Sequence, residues 1–174
     1  MAKPVKIRPA AMLGAVLDFL GGQKIATYTN EDEGYEYLKN GYFCVSVLNP
    51  KGSDDLYIDL EDGFTLTYGD WNAHYEATDR DFEHMREDVV DFLANRMYLA
   101  VAYSGKEWIC SLTIHENDVS KARLLRQTKD FLHSADCDPF IQLLNHKGGV
   151  IDCSFWDVKR NREIRVNPGE IRLS

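Results

Sequence analysis

Apolar residues recur at helical spacing in five parts of the chain. The longest repeat covers residues 79–96 and keeps five apolar side chains on one face: Phe82, Met85, Val89, Phe92 and Leu93. Thr78 or Asp79 can cap this helix, and the acidic residues of its first turn suit the positive end of the helix dipole. Shorter repeats predict helices over residues 10–20, 31–39, 117–133 and 138–147, the last two capped by Asn117 or Asp118 and by Asp138.

Alternation of apolar and polar residues predicts a hairpin in the stretch LYIDLEDGFTLTY, residues 56–68. A one-residue slip would invert a strand's faces, so the loop must bring the apolar faces together. A three-residue loop at 61–63 does so, with Gly63 in the left-handed conformation. It aligns two pairs: Leu60 with Phe64 and Ile58 with Leu66.

Two further hairpins follow from the same matching of faces. A two-residue turn at Gly105-Lys106 aligns three pairs: Tyr103 with Trp108, Val101 with Cys110 and Leu99 with Leu112. Glycine at the first central position favours a type II′ turn. A loop over residues 160–162 aligns two pairs: Val158 with Ile164 and Trp156 with Val166.

These elements predict an α+β protein, with an antiparallel sheet of about seven strands built from hairpins and four or five helices packed mainly on one face. The sheet includes strands near residues 24–28 and 42–48. The chain has 174 residues, 44% of them apolar, which is enough for one sizeable core. We therefore expect a single domain over residues 1–174, in which residues 1–8 form a flexible tail.

The stretch YGDWNAHYE, residues 68–76, decides where a polar site lies. If the preceding alternation continued unbroken, polar side chains would join a buried apolar face, at a cost of about 1–3 kcal/mol for each unpartnered group. A β-bulge at Gly69 shifts the alternation by one residue. We therefore predict that Trp71, Ala73 and Tyr75 face inward. Four polar side chains then face outward: Asp70, Asn72, His74 and Glu76.

The candidate binding site is this row with two residues of the neighbouring strand: Tyr57, Asp59, Asp70, Asn72, His74 and Glu76. An open face of this kind suits docking of a cationic protein, with Tyr57 as the aromatic anchor. Other interpretations stay open: a solvated face, a metal site, or a general acid/base pair of His74 with Asp70 or Glu76. Since the sequence shows no supporting ligand, nucleophile or cofactor motif, we expect no catalytic residue, no metal and no cofactor.

Charge is unevenly distributed along the chain. The net charge is −8, and residues 30–91 alone hold seventeen acidic and four basic side chains, a net charge of −13. Such a field repels nucleic acid and favours basic partners. Cations on the predicted fourth helix could bind RNA or phosphate, or pair with the acidic region: Lys121, Arg123, Arg126 and Lys129. Because aromatic residues are not interleaved among them, nucleic-acid binding is not expected.

Four scattered cysteines without a CxxC motif indicate reduced thiols and a cytoplasmic protein. The apolar N-terminal run is short, is interrupted by Asp18 and lacks an Ala-x-Ala cleavage site, which favours an amphipathic helix over a signal peptide. No segment approaches membrane length, so no membrane association is expected. An exposed edge strand could support a homodimer.

The stretch FTLTYGDWNAHY, residues 64–75, precedes an acidic amphipathic helix and the hairpin MYLAVAYSGKEWICSL. In this order the chain resembles small uncharacterised bacterial α+β proteins that share six residues with it: Gly69, Trp71, His74, Tyr75, Gly105 and Trp108. Some small acidic α+β bacterial proteins that resemble this chain are immunity proteins, which neutralise a toxin. The resemblance therefore implies that this chain is an immunity protein.

Together with the charge distribution, this resemblance predicts a non-enzymatic bacterial interaction protein. It would bind a basic partner, such as a toxin, through an acidic surface around residues 54–91. The alternative is a small-molecule-binding or hydrolytic domain that uses Asp70, His74 and Glu76.

Overall fold

The computed structural model describes residues 3–52, 54–115 and 120–171, and the chain forms two compact units, Met1–Val90 and Asp91–Ser174. The α+β class with antiparallel sheets is confirmed. The prediction of about seven strands in one sheet is wrong, because the described residues form nine strands in a five-stranded and a four-stranded sheet. The single domain over residues 1–174 stays a prediction. None of the described helices is long and apolar enough to span a membrane.

The sheet of the first unit has five strands in sequence order, each antiparallel to the next: β1 (Ile25–Tyr28), β2 (Phe43–Val47), β3 (Leu56–Leu60), β4 (Phe64–Tyr68) and β5 (Trp71–Tyr75). The predicted pairs Leu60–Phe64 and Ile58–Leu66 are confirmed. Alternate residues of the three central strands bury one face: Val45, Val47, Leu56, Ile58, Leu60, Phe64 and Leu66. The intervening residues form the outer face, on which the predicted polar row lies.

The helices of the first unit pack through aromatic side chains. A short 3-10 helix (Pro9–Met12) and α1 (Leu13–Phe19) together form the helix predicted over residues 10–20, and α2 (Asp79–Leu93) confirms the helix predicted over 79–96. The ring of Phe82 on α2 lies 5.5 Å from that of Phe64 and 6.3 Å from that of Phe19, centroid to centroid. Since Phe64 points to the buried face, these contacts hold α1 and α2 against that face of the sheet.

The helix predicted over residues 31–39 is wrong. This segment forms consecutive turns, in which Tyr35 N donates to Asp32 O and Leu38 N donates to Tyr35 O. Leu38 is buried, and the Tyr37 hydroxyl donates to Asp59 on β3 at 3.2 Å. Side-chain contacts with the outer face of the sheet therefore outweigh the local helical preference.

The prediction that residues 1–8 form a flexible tail does not hold for residues 5–7, which are hydrogen-bonded to the rest of the unit. Ile7 N donates to Ala77 O at 3.0 Å, and Asp79 N donates to Val5 O at 3.0 Å. Val5 N in turn donates to the Asp79 carboxylate at 2.8 Å. These bonds tie the segment to the first residues of α2.

The second unit contains β6 (Met97–Ser104), β7 (Glu107–His115), β8 (Gly149–Ser154) and β9 (Arg162–Val166), in the spatial order β7-β6-β8-β9. Its helices are α3 (Lys121–Ser134) and α4 (Asp138–Lys147). Both helices contribute to one core with the sheet, including Ala100, Leu112 and Ile151 from the strands and these residues from the helices: Leu124, Leu132, Ile141 and Leu144. The helices of this unit thus cover one face of its sheet.

The caps of these helices differ from the prediction. Ser120 caps α3 by accepting a hydrogen bond from Arg123 N, whereas the predicted caps Asn117 and Asp118 lie outside the described residues. Cys137 precedes α4, and Asp138 is the first residue of that helix.

The hairpins of the second unit are only partly as predicted. The Gly105-Lys106 turn and the pair Tyr103–Trp108 are confirmed, but the register shifts between Ala102 and Tyr103, so that Ala102 faces Cys110. The hairpin with a loop at 160–162 is wrong. β9 pairs instead with β8, whose Ile151 faces Ile164, because residues 155–161 form the connection between the two strands.

Candidate functional site

The polar row of residues 70–76 lies on a hairpin, not beside a bulge. Gly69 and Asp70 form a two-residue turn in which Gly69 has a φ of 54°, and Tyr68 pairs with Trp71 across it. The predicted directions of the side chains are nevertheless confirmed. Trp71, Ala73 and Tyr75 pair with Tyr68, Leu66 and Phe64 on the buried face, while Asn72 and His74 point outward and are exposed.

His74 lies on an open surface. Its Nδ1 atom is 3.0 Å from the hydroxyl oxygen of Thr65, the residue directly opposite on β4. The hydroxyl orients the ring, and among the described residues no carboxylate pairs with His74 as the acid of a catalytic dyad would.

A shallow cleft of about 290 Å³ opens at the end of the β3–β4 hairpin. Its polar lining combines the loop of that hairpin with the end of β5: Glu61, Asp62, Thr65, His74 and Glu76. Gly63 lets the backbone close the cleft, since a Cβ atom there would lie 2.6 Å from Tyr75 O. The prediction of a left-handed Gly63 is wrong, because its φ is not positive. Glycine is needed here because the loop approaches the backbone of β5 closely.

The carboxylates of the cleft differ in their partners. Asp62 accepts from Lys39 Nζ at 2.7 Å and from the Tyr42 hydroxyl, and these hydrogen bonds lower the pKa of Asp62. Glu61 forms no hydrogen bond through its side chain with the described residues; partial burial, together with the nearby Asp59 and Asp62, raises its pKa. A cationic group that entered the cleft would relieve this crowding of negative charge.

Tyr57 and Asp59 lie across β4 from Asn72 and His74 on the outer face, and the segment before β2 contacts Asp59. Asp59 accepts from the Tyr37 hydroxyl, and burial raises the pKa of Tyr57. Burial also raises the pKa of the Cys44 thiol on this face, which keeps it protonated and unreactive. Tyr28 and Tyr35 stack in parallel, with ring centroids 4.0 Å apart. This packing leaves Tyr57 half-buried, and the exposed aromatic side chain here is Tyr37.

The six predicted residues lie along the outer face of β3 and β5 and beside the two ends of β5, and their use as one site stays a prediction. His74 and Glu76 share the cleft, Asn72 lies further along β5, and Asp70 lies in the turn at the opposite end of that strand. Asp70 and Glu76 are six residues apart along an extended chain, which corresponds to about 20 Å. The alternative that uses Asp70, His74 and Glu76 together needs a convergence that the strand does not provide.

Exposed acidic side chains also lie on α2, which packs against the buried face of the sheet. The Tyr75 hydroxyl donates to Asp88 at 2.6 Å and so fixes the helix against β5. Seven of the twelve carboxylates between residues 54 and 90 are exposed: Asp54, Asp62, Asp70, Glu76, Asp79, Glu83 and Glu87. We call these seven side chains the acidic surface.

The chemistry available on this surface is the binding of cations by dispersed carboxylates. Within residues 3–52, 54–115 and 120–171 no group of three or more His, Cys, Asp or Glu side chains is arranged to hold a metal ion. Sequence reasoning did not assign Lys39, Tyr42, Glu61 and Asp62 to the site. The sequence placed the two acids in a hairpin loop, and only the return of β5 along β4 brings Glu76 and His74 beside them.

Comparisons of the chain with protein-family models, with curated proteins and with solved structures find no match.

Proposed function

We propose that this is a non-enzymatic, cytoplasmic bacterial interaction protein of immunity type, which binds a basic protein partner such as a toxin through the acidic surface. The observation that supports this proposal most is the exposure of seven carboxylates within a stretch that holds few basic residues. Between residues 54 and 91 the basic side chains are Arg80 and Arg86, and Arg86 pairs with Glu83 at 2.6 Å.

Several of these carboxylates are available to a partner. Among the residues that the structure describes, Asp70, Glu76 and Glu87 form no ion pair. Dispersed, unpaired charges of one sign steer an oppositely charged protein to the surface and accelerate its association. They suit partner recognition better than catalysis, which needs convergent groups in an enclosed pocket.

The test removes three of these charges without changing side-chain shape, in the variant Asp70→Asn, Glu76→Gln, Glu87→Gln. Each cationic protein encoded beside the gene serves as a probe, and binding is measured by calorimetry at low and high salt. Exposed ion pairs contribute about 0.2–1 kcal/mol each, so we expect affinity for the true partner to fall about tenfold at low salt and the salt dependence to become weaker.

A matched control removes one Asp and two Glu from exposed positions of the second unit: Glu107→Gln, Asp130→Asn and Glu163→Gln. This variant has the same net charge as the first and should bind the partner as the unaltered protein does. Equal losses in both variants would indicate a net-charge effect alone, and no binding by any of the cationic proteins would contradict the proposal.

A further inference from the structure

The second unit carries a groove lined by basic and apolar side chains, in contrast to the acidic surface of the first unit. It has a volume of about 690 Å³ and runs between α3 and the segment 169–171. Apolar side chains and cations both line it: Lys121, Ala122, Leu125, Arg126, Lys129 and Ile171. The groove therefore combines an apolar floor with a basic rim.

The walls of the groove are fixed by the fold. Leu125 packs against the core of the second unit, and Ile171 is part of that core, with only 2% of its surface exposed. Gly169 N donates to Asn145 O of α4 at 2.8 Å, and Asn167 N donates to the Glu170 carboxylate at 2.7 Å. A ligand would thus meet a groove that is already formed, which lowers the entropy lost on binding.

The rim already binds one carboxylate of this chain. Lys121 Nζ lies 2.6 Å from a carboxylate oxygen of Glu170, and this contact, with hydrogen bonds from Asn167, lowers the pKa of Glu170 to about 2. Lys121 lies on the same helix as Arg123, Arg126 and Lys129, whereas the acidic residue of α3 is Asp130. Arg126 is exposed and makes no ion pair with the described part of the chain.

We propose that this groove docks an acidic amphipathic segment of a partner protein. Apolar side chains of the segment would lie on Ala122 and Leu125, and its carboxylates would pair with Arg126 and Lys129, as in other helix-in-groove complexes. The apolar floor distinguishes this occupant from a nucleic acid, which would need aromatic side chains for base stacking. The lining residues that the structure describes include none. The groove shares no residue with the acidic surface and extends the proposed function to a second partner.

The probe is a fluorescein-labelled peptide of leucine and glutamate at helical spacing, about three turns long. Its binding to the full chain is followed by fluorescence anisotropy, beside a peptide with lysine in place of glutamate, a polyglutamate peptide and a single-stranded RNA. We expect the leucine–glutamate peptide to bind most tightly. Reversing the charge of the rim in the variant Arg126→Glu, Lys129→Glu should lower the affinity for this peptide about tenfold or more.

Two further variants separate the groove from general effects of charge. Ala122→Gln leaves every charge of the rim in place but puts a polar side chain on the exposed floor, and it should also weaken binding of the peptide. Arg165→Glu reverses an exposed cation of β9 and should leave binding unchanged. The proposal is overturned if the peptide does not bind, if polyglutamate or RNA binds as tightly, or if Arg165→Glu acts like the rim variant. Binding of basic partners to the acidic surface should not change in any of these variants, so the two proposals fail separately.

Discussion

Replacing Phe82 by alanine is expected to lower the free energy of unfolding of the first unit by about 3–5 kcal/mol. The ring is 5% exposed, and it contacts Phe19 of α1 and Phe64 of β4. Its removal leaves a cavity between three elements that cannot collapse without moving a helix, so the loss of packing adds to the loss of apolar burial. Urea unfolding, followed by the circular dichroism of the helices and by tryptophan fluorescence, measures the effect.

Val90→Ala on the same helix is the control. Val90 is 39% exposed, so truncation there should change stability by no more than about 0.5 kcal/mol. The comparison also bears on function, because α2 carries Asp79, Glu83 and Glu87 of the acidic surface. If Phe82→Ala were as mild as Val90→Ala, the helix would not be held on the sheet by this ring, and the acidic surface would lack the fixed geometry that we describe.

Local features of the first unit could be predicted because each depends on neighbouring residues. The β3–β4 register follows from alternation in Leu56–Leu60 and Phe64–Tyr68 once a three-residue loop is chosen. The direction of His74 follows in the same way, because Gly69 must interrupt the alternation before Trp71. A bulge and a turn both interrupt it, and the sequence does not distinguish a strand that continues from one that reverses. The predicted outward direction of His74 was therefore confirmed, and the prediction that the strand continues through a bulge was wrong.

Long-range contacts account for what the sequence did not reveal. The apolar positions Trp156 and Val158 are typical of a strand, but their segment is held as a connection by one side chain of its own and by one that is distant in sequence. Asn161 accepts from Phe155 N at 2.7 Å, and Asn95 accepts from Asp157 N at 2.7 Å. Tertiary contacts of this kind override local preference.

The cleft could not be found from the sequence for the same reason. Glu61 and Asp62 belong to the loop of one hairpin, whereas His74 lies in β5 and Glu76 directly follows that strand. Their proximity requires the chain to reverse direction at Gly69, between β4 and β5. The alternation of apolar and polar residues does not distinguish this reversal from a bulge. Charge, by contrast, is additive along the chain, so the acidic character of this unit was visible before the fold was known.

Replacing Gly149 by alanine is expected to destabilise the second unit by about 3 kcal/mol, even though the change adds a single methyl group. A Cβ atom at this position would lie 2.1 Å from Tyr103 O and 2.8 Å from a methyl carbon of Leu144. The first contact is with backbone in the centre of the sheet, so relief requires that β6 and β8 separate where Tyr103 pairs with Val150. Hydrogen exchange of the amides of β6 and β8 measures this separation as a loss of protection.

Gly14→Ala provides the contrast, because the same methyl group enters open space. Apart from its two chain neighbours and the backbone of its own helix, no described atom lies within 4 Å of a Cβ atom at Gly14, which is in α1. Alanine there should raise the free energy of unfolding by about 0.5–1 kcal/mol, because it restricts the unfolded chain and favours the helix. Since both substitutions are Gly→Ala, a difference in sign can only come from the surroundings of the two sites. Unchanged protection of β6 and β8 in Gly149→Ala would show that the two strands are not held as closely as the structure places them.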